Sequence, residues 1–196
     1  MSRITQATGE PPVLAFRSQA AWEKWLARHH GDEAGIWIKF AKKGSSAVTV
    51  TYAEALEVAL CHGWIDSQAK GFDETYYLQR FTPRRKRSKW SKINREAAMR
   101  LIESGAMAPS GLREVERAKA DGRWDAAYAS PSAATVPPDL ERALRKNKAA
   151  REFFATLSSQ NRYAILYRIE DAKRPETRAR RIAQFVEMLA RGEKMH

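Results

Sequence analysis

The sequence predicts an α+β fold, in which a small antiparallel sheet with flanking helices is followed by a C-terminal helical module. Ile36, Ile38 and Phe40 occupy alternate positions, which is the period of a strand with one buried face. The run Thr51–Glu54 has the spacing of a capping box at the start of a helix. After residue 138, apolar residues recur at helical spacing. Strands are therefore expected only in the N-terminal part.

The elements of that part follow from local residue patterns. In chain order we predict a helix capped by Ser18, a strand over residues 36–40, a short strand at Val48–Val50, a helix from Thr51 to a C-terminal cap at Gly63, a strand from Thr75 to Phe81 that stops at Pro83, and helices that begin at Ser91 and Ser110. One core is expected to contain the residues on the apolar stripes, namely Trp22, Ile38, Leu56 and Leu60.

Composition shifts predict the domain organisation. Residues 1–128 are expected to form the α+β domain with a candidate binding cleft. Residues 129–138 are rich in Ala, Ser and Pro, which is typical of a linker. Residues 139–196 are expected to form the helical module, built from four helical segments.

Charge restricts the class of partner. The chain has 35 basic and 23 acidic residues and a formal net charge of +12. Residues 1–79 are nearly neutral, with 8 basic and 9 acidic groups, so the excess lies in the rest of the chain. A basic surface attracts anions. We expect a small anionic ligand or an acidic protein partner, with nucleic acid as the alternative.

Several classes of function are not expected. Cys61 is the single cysteine, so an intramolecular disulfide is impossible and a cysteine-based metal cluster is not expected. No Gly-rich phosphate loop, HExxH or GxSxG motif occurs, so we predict no catalytic residues, metal or cofactor. Without an export signal near Met1 or an apolar run of membrane-spanning length, a cytoplasmic location is expected.

The candidate cleft combines a loop with a strand end. Trp64 and Asp66 follow a capped helix, where a tryptophan can form a pocket wall and a carboxylate can orient a ligand. Arg80 lies at the end of a strand, and Arg84 follows the turn made by Pro83. Guanidinium groups suit carboxylates and phosphates. We predict that these four side chains converge on a small anionic or carbonyl-bearing group, with Arg80 pairing Asp66 or the ligand.

A basic segment continues this candidate site. Residues 80–95 contain eight basic groups and no acid. Trp90 is a candidate for stacking on a base or ring, and Asn94 lies at a helix N-terminus that offers free N–H donors. The alternative interpretation is a solvated loop with Trp90 in the core. A possible secondary basic site contains Lys173 and Arg178, at a helix junction where Arg178 could instead bridge to an acid such as Asp171.

These motifs together resemble one bacterial family. Gly63–Asp66, Arg80–Arg84 and Ser88–Ser91 with Asn94, followed by Pro138–Leu140 and Glu176–Arg178, are similar to the YdeI or OmpD-associated family over about residues 16–194. The resemblance implies bacteriocin protection, tolerance of cationic antimicrobial peptides and a link to an outer-membrane porin, and it supplies no catalytic residues. We do not expect direct porin binding here, because the chain has no export signal.

The sequence thus favours a non-enzymatic binding or interaction protein that acts in envelope-stress tolerance. Two alternatives stay open. One is a nucleic-acid-binding protein that uses the basic residues 80–95. The other is an enzyme that acts on a small anionic substrate with Asp66 as acid or base. A contiguous basic face would favour the first, and a deep pocket containing Asp66 and Arg80 would favour the second.

Overall fold

The computed structural model describes residues 11–32 and 34–195. The N-terminal stretch, in which we expect no export signal, lies mostly outside them. The chain forms two compact units. Of the described residues, unit 1 contains those up to Trp90 together with Asn94–Ala126, and unit 2 contains Ser91–Ile93 together with those from Ala127 onward. The predicted α+β class is confirmed, since the strands lie in the first unit and the C-terminal part is helical.

The sheet of unit 1 is mixed rather than wholly antiparallel. Its strands are β1 (Val13–Leu14), β2 (Ile36–Ala41), β3 (Trp64–Gly71) and β4 (Tyr76–Pro83), arranged in the order β1-β2-β4-β3. The pairs β2–β4 and β3–β4 are antiparallel, as predicted, but the two-residue β1 pairs with β2 in parallel. The sequence did not reveal β1, because two residues are too few to show a period.

Two other strand predictions need correction. Val48–Val50 is not a strand: it forms no ladder with β2, and the Ala41 N–H of that strand donates to the Thr49 hydroxyl at 3.0 Å instead. Isolated hydrogen bonds hold this segment, including one from the Val50 N–H to the Phe16 carbonyl, at 2.8 Å. The segment around Asp66, predicted as a loop, is part of β3. A break in register between Asp66 and Ala69 interrupts its alternation, so no strand period is visible in the sequence.

The helices form near their predicted caps and stripes, although the one expected to begin at Ser110 begins at Pro109, after Ala108. Those of unit 1 are α1 (Gln19–His29), α2 (Tyr52–Cys61), α3 (Lys92–Glu103), whose first two residues belong to unit 2, and α4 (Pro109–Ala120). The Ser18 hydroxyl accepts the Ala21 N–H, and Thr51 and Glu54 complete a capping box. Both caps satisfy N–H groups that a helix leaves without intrahelical partners.

The main core of unit 1 lies on one face of the sheet, beneath α1 and α2. Trp22 and Ile38 are fully buried there, and Leu56 packs against them, which confirms three of the four predicted core members. Leu60 is buried too, at 2% exposure, but lies outside that cluster. The Trp22 indole N–H donates to the Ala55 carbonyl at 3.1 Å. Each such large apolar side chain contributes roughly 1.5–3 kcal/mol through burial.

Gly111 allows α4 to approach the end of α2. A Cβ at this position would lie 2.2 Å from the Cys61 carbonyl oxygen and 2.5 Å from the Met107 sulfur. The Ala108 N–H, just before α4, donates to the same Cys61 carbonyl at 3.2 Å. The residue with no side chain therefore sets the distance between these two helices.

Unit 2 is built from four helices, as expected for the C-terminal module. They are α5 (Pro138–Arg145), α6 (Lys148–Thr156), α7 (Ser159–Asp171) and α8 (Pro175–Ala190). The core between them contains Leu140, Ile165, Ile169 and Leu189, all fully buried. Ahead of α5, the Tyr163 hydroxyl donates to the Ala129 carbonyl at 2.9 Å, which fixes the start of the segment predicted as a linker.

Candidate functional site

Trp64 belongs to the core of unit 1. Its side chain is fully buried, and its indole N–H donates to the His30 carbonyl at 2.8 Å. The ring packs edge-on against Trp22 and Trp25, with centroids 6.3 Å away in each case. Trp64 therefore stabilises the contact between the sheet and α1 instead of forming an open pocket wall.

Asp66 and Arg80 lie on opposite faces of the sheet. Asp66 pairs in register with Phe81, so its side chain shares the core-side face with that residue, and it accepts the Tyr52 hydroxyl at 2.8 Å. Arg80 pairs with Trp37, one position away from Phe81, and successive strand residues point to opposite faces. The predicted convergence of Trp64, Asp66 and Arg80 in one cleft is therefore wrong, because the register separates Arg80 from the other two.

Arg84 and Trp90 form a buried stack at the end of β4. The Arg84 guanidinium lies 3.6 Å from the centroid of the Trp90 ring, and one of its Nη atoms donates to the Lys89 carbonyl at 3.2 Å. Trp124 meets Trp90 edge-on from another side, with 4.9 Å between centroids. Arg84 is 5% exposed and Trp90 2%. The predicted stacking of Trp90 on a base is not available in this arrangement, and the alternative of a core tryptophan is confirmed.

The remaining predicted residues belong to different elements of the two units. Asn94 lies in the first turn of α3, half-buried. In unit 2, Lys173 is exposed, and its ammonium donates to the Glu170 carbonyl at 3.2 Å. Arg178 pairs with Asp139 of α5 instead of Asp171, while a second Nη atom donates to the Ile169 carbonyl at 2.9 Å. All three ends of the Arg178 guanidinium thus bind groups within unit 2.

The outward face of the sheet carries basic residues, which the core-side face lacks. We call it the cationic face and define it by Trp37 and Lys39 of β2, Lys70 of β3, Tyr76, Leu78 and Arg80 of β4, and Phe72 just after β3. Register and ring contacts place all seven together. The charged residues among them are all basic.

Two lysines cross this face in opposite directions. The Lys39 ammonium lies 4.3 Å from the centroid of the Phe72 ring, and the Lys70 ammonium lies 4.4 Å from that of Trp37. Both lysines pair in register with Leu78, which lies between them on β4. Leu78 itself is 2% exposed, and long cationic side chains on either side of an apolar residue can cover its surface.

A basic loop leaves the sheet at the Arg80 end of β4. Its residues Arg85, Lys86 and Arg87 are all exposed. Ser88 closes the loop as a turn: its N–H donates to the Arg85 carbonyl and its hydroxyl accepts the Arg85 N–H, both at 2.9 Å. Arg123 donates to the Ser88 carbonyl at 2.7 Å. The three charges are thus presented on a loop that is held at its base.

Cys61 and His62 do not form an activated nucleophile. Burial raises the pKa of the Cys61 thiol to about 11, with Glu57 and Glu23 adding to the effect, so the thiol is protonated at neutral pH. Burial, and next the neighbouring His30, lower the pKa of the His62 imidazole. Within residues 11–32 and 34–195, no group of three or more His, Cys, Asp or Glu side chains is placed to hold a metal ion.

Two protein families match parts of the chain. Residues 14–114, just over half of it, match a family described as a domain of unknown function, DUF8412. The chain belongs to the DUF8412 family. Residues 133–192 match the family described as bacteriocin-protection, YdeI or OmpD-associated, which confirms the predicted resemblance. That family model covers the C-terminal module, whereas the N-terminal motifs of the resemblance fall within the DUF8412 region.

Neither curated proteins nor solved structures provide a match to the chain. The cationic face lies within the DUF8412 region, and the Arg178–Asp139 pair lies within the YdeI/OmpD-associated module. Among the helices that the structure describes, none is long and apolar enough to cross a membrane.

Sequence reasoning missed most of the cationic face. Of its seven residues, only Arg80 was predicted as a site residue. Trp37 and Lys39 did carry a sign of it, because they occupy the alternate positions of a strand whose other side is apolar. A tryptophan on the solvent side of such a strand indicates a binding surface as much as the charge cluster at residues 80–95 does.

Proposed function

We propose that this DUF8412 protein is a non-enzymatic binding protein, which holds a polyanionic partner on the cationic face and the basic loop of unit 1. The observation that carries the proposal is the crossed pair of lysines, Lys39 and Lys70, on a face whose charged residues are all basic. Bacteriocin protection, the role in the description of the family that its C-terminal module matches, is the physiological part of the proposal.

The two lysines are held by rings and are not neutralised by acids. Among the residues that the structure describes, no carboxylate lies within ion-pair distance of Lys39 or Lys70. A cation–π contact at an exposed site is worth only about 0.5–1 kcal/mol and keeps the full charge. A polyanion that binds here gains Coulomb attraction without first breaking an ion pair.

The sign of the charge also limits how protection would work. A face that carries Lys39, Lys70 and Arg80 repels a cationic peptide, because like charges placed opposite each other cost free energy. Protection by direct capture of such a peptide is therefore disfavoured. In this proposal the chain acts through an anionic cellular partner, and a cytoplasmic location, to be tested by cell fractionation, is part of it.

Salt dependence provides the test. Binding of a labelled heparin fragment would be followed by fluorescence anisotropy over a salt series, using the full chain and the double variant Lys39→Ala/Lys70→Ala. Affinity should fall linearly on a logarithmic scale as salt rises, because bound anions release counterions. The double variant should bind more weakly and with a shallower slope, since two contacts are lost.

Lys24→Ala is the matched control. Lys24 is exposed on α1, which packs on the core side of the sheet, so its removal changes the net charge without touching the cationic face. Heparin affinity would be compared between Lys24→Ala and each single variant of the face, Lys39→Ala and Lys70→Ala. If all three lose the same affinity, only net charge matters. That result, or the absence of heparin binding at low salt, would contradict the proposal.

The physiological part needs a separate assay. Cells that produce the protein should survive a bacteriocin better than cells without it, and the Lys39→Ala/Lys70→Ala variant should lose the advantage at equal protein level. Full protection by that variant would remove the link between the cationic face and bacteriocin tolerance.

A further inference from the structure

We infer that the polyanion held on the cationic face is a single-stranded nucleic acid, whose bases stack on Phe72, Tyr76 and Trp37. Its phosphates would pair with the lysines and with Arg80. This inference rests on the proposed function, since it names the partner of the same face. It also gives the rings a role in binding, which they would not have with heparin, because heparin has no bases to stack on them.

The rings lie where bases can reach them. Phe72 is 48% exposed, and Tyr76 and Trp37 are partly exposed. Tyr76 and Arg80 are four positions apart on β4, which is about 14 Å at the rise of a strand, and Trp37 lies beside Arg80 in the register. The aromatic groups therefore stand at both ends of the face, with the lysine row between them.

Each of the two lysines places its ammonium over a ring at one end of the face. Lys39 extends from β2 to Phe72, and Lys70 extends from β3 to Trp37. A flexible lysine stem can move its ammonium from a ring to a phosphate, and a base can then take the vacated ring face. Stacking of a base on a ring is worth more than an exposed cation–π contact, so both halves of each pair gain in the exchange.

Ring use favours single strands over the other polyanions. In a duplex the base faces are stacked inside, where a flat sheet face cannot reach them, whereas unpaired bases present both faces to aromatic side chains. An acidic protein partner would pair with the cations but would leave the Phe72 ring exposed. Within this chain, the acid nearest to Phe72 in sequence is Asp73. Its Oδ1 already accepts the N–H groups of Thr75 and Tyr76, at 2.8 and 2.7 Å.

The test compares one probe with bases and one without. Anisotropy would be measured for an oligothymidylate of about 12 nucleotides, a length within the usual range of single-strand sites, for a duplex of equal length and for the heparin fragment. Three forms of the full chain would be used: wild type, Phe72→Leu, which keeps the apolar surface without a ring, and Phe72→Tyr, which keeps the ring.

We expect Phe72→Leu to weaken oligothymidylate binding at least about fivefold, the lower end for loss of one stacked base. Heparin binding by the same variant should stay within about twofold, because its contacts are electrostatic. Phe72→Tyr should bind the oligonucleotide like the wild type. Lys39→Ala should reduce the slope of log affinity against log salt by about 0.7, the value for one phosphate contact on a single strand.

The outcomes separate this inference from the proposed function. If heparin and oligothymidylate bind equally and Phe72→Leu changes neither, the face is a polyanion site without base stacking, and only the inference on nucleic acid fails. Tighter binding of the duplex than of the single strand would overturn it as well. If none of the three probes binds at low salt, the proposed function itself fails.

Discussion

Arg178 should act as a structural clamp of the YdeI/OmpD-associated module, and its loss should loosen unit 2. Its Nε donates to one carboxylate oxygen of Asp139, and an Nη atom donates to the other at 3.0 Å. The remaining Nη atom donates to the Ile169 carbonyl at 2.9 Å, near the end of α7. One side chain thus joins α5, α7 and α8.

The cost of removing Arg178 follows from this geometry. Hydrogen bonds to charged groups are worth about 1.5–3 kcal/mol. The side chains of Arg178 and Asp139 are 26% and 31% exposed, so solvent screens part of their interaction. We expect Arg178→Ala to lower the free energy of unfolding of unit 2 by about 2 kcal/mol. Arg178→Lys should cost about 1 kcal/mol, because it keeps the charge and loses the bidentate fork.

The pH dependence has a definite sign. The hydrogen bonds from Arg178 hold the pKa of Asp139 below its ordinary value. A lowered carboxylate pKa in the folded state contributes stability that is fully present above the unfolded pKa of about 3.9 and is lost as the pH falls through the folded pKa. The difference in stability between wild type and Arg178→Ala should therefore be constant near pH 7 and shrink below about pH 4.

Hydrogen exchange measured on peptides of α5, α7 and α8 reports on this region directly. All six tryptophans precede residue 127, so their fluorescence reports on unit 1 and serves as the internal control. A double-mutant cycle with Asp139→Asn isolates the pair. Coupling near zero between the two substitutions, or protection unchanged in Arg178→Ala, would refute the clamp and would leave Arg178 available as the anion site first predicted.

Three further predictions concern unit 1. Gly111→Ala should destabilise the protein by about 1–2 kcal/mol in urea unfolding followed by tryptophan fluorescence, because the clash with the Cys61 carbonyl outweighs the better helix propensity of alanine; greater stability would contradict the close approach of α4. Alkylation of Cys61 by iodoacetamide should be slow at neutral pH and should accelerate only toward pH 11, whereas a midpoint near 8.5 would show an ordinary exposed thiol. Thr51→Ala removes one half of the capping box and should cost about 1 kcal/mol by the same unfolding assay; an unchanged midpoint would show that the cap contributes nothing.

The helices could be predicted because their determinants are local. The cap residues Ser18 and Thr51 and the apolar stripes lie within one or two turns of the backbone groups that they affect. The same holds for the four helices of unit 2, which agree in number with the four helical segments expected there. No knowledge of distant partners is needed for these predictions.

The candidate cleft failed because it depended on pairing between distant strands. Asp66 and Arg80 are separated by only 14 positions, yet their relation is decided by whether Asp66 pairs with Phe81 or with Arg80. A shift of one residue in register would place them on the same face. The sequence around Asp66 contains no clear alternation to fix that register, because the break before Ala69 interrupts it.

The net charge of residues 1–79 did not indicate the cationic face, for a related reason. Residues 1–79 are almost neutral in sum, which argued against a basic surface there. The structure sorts these charges by face: Glu54 and Asp66 lie on the side of α2, whereas Lys39 and Lys70 lie on the other side of the sheet. Since alternation along a strand can place opposite charges on opposite faces without changing the sum, a neutral segment can still present a face of one sign. The charge that a partner meets is therefore determined by the strand register, and substitutions that exchange Lys39 and Phe40 would remove one cation from the face at constant composition.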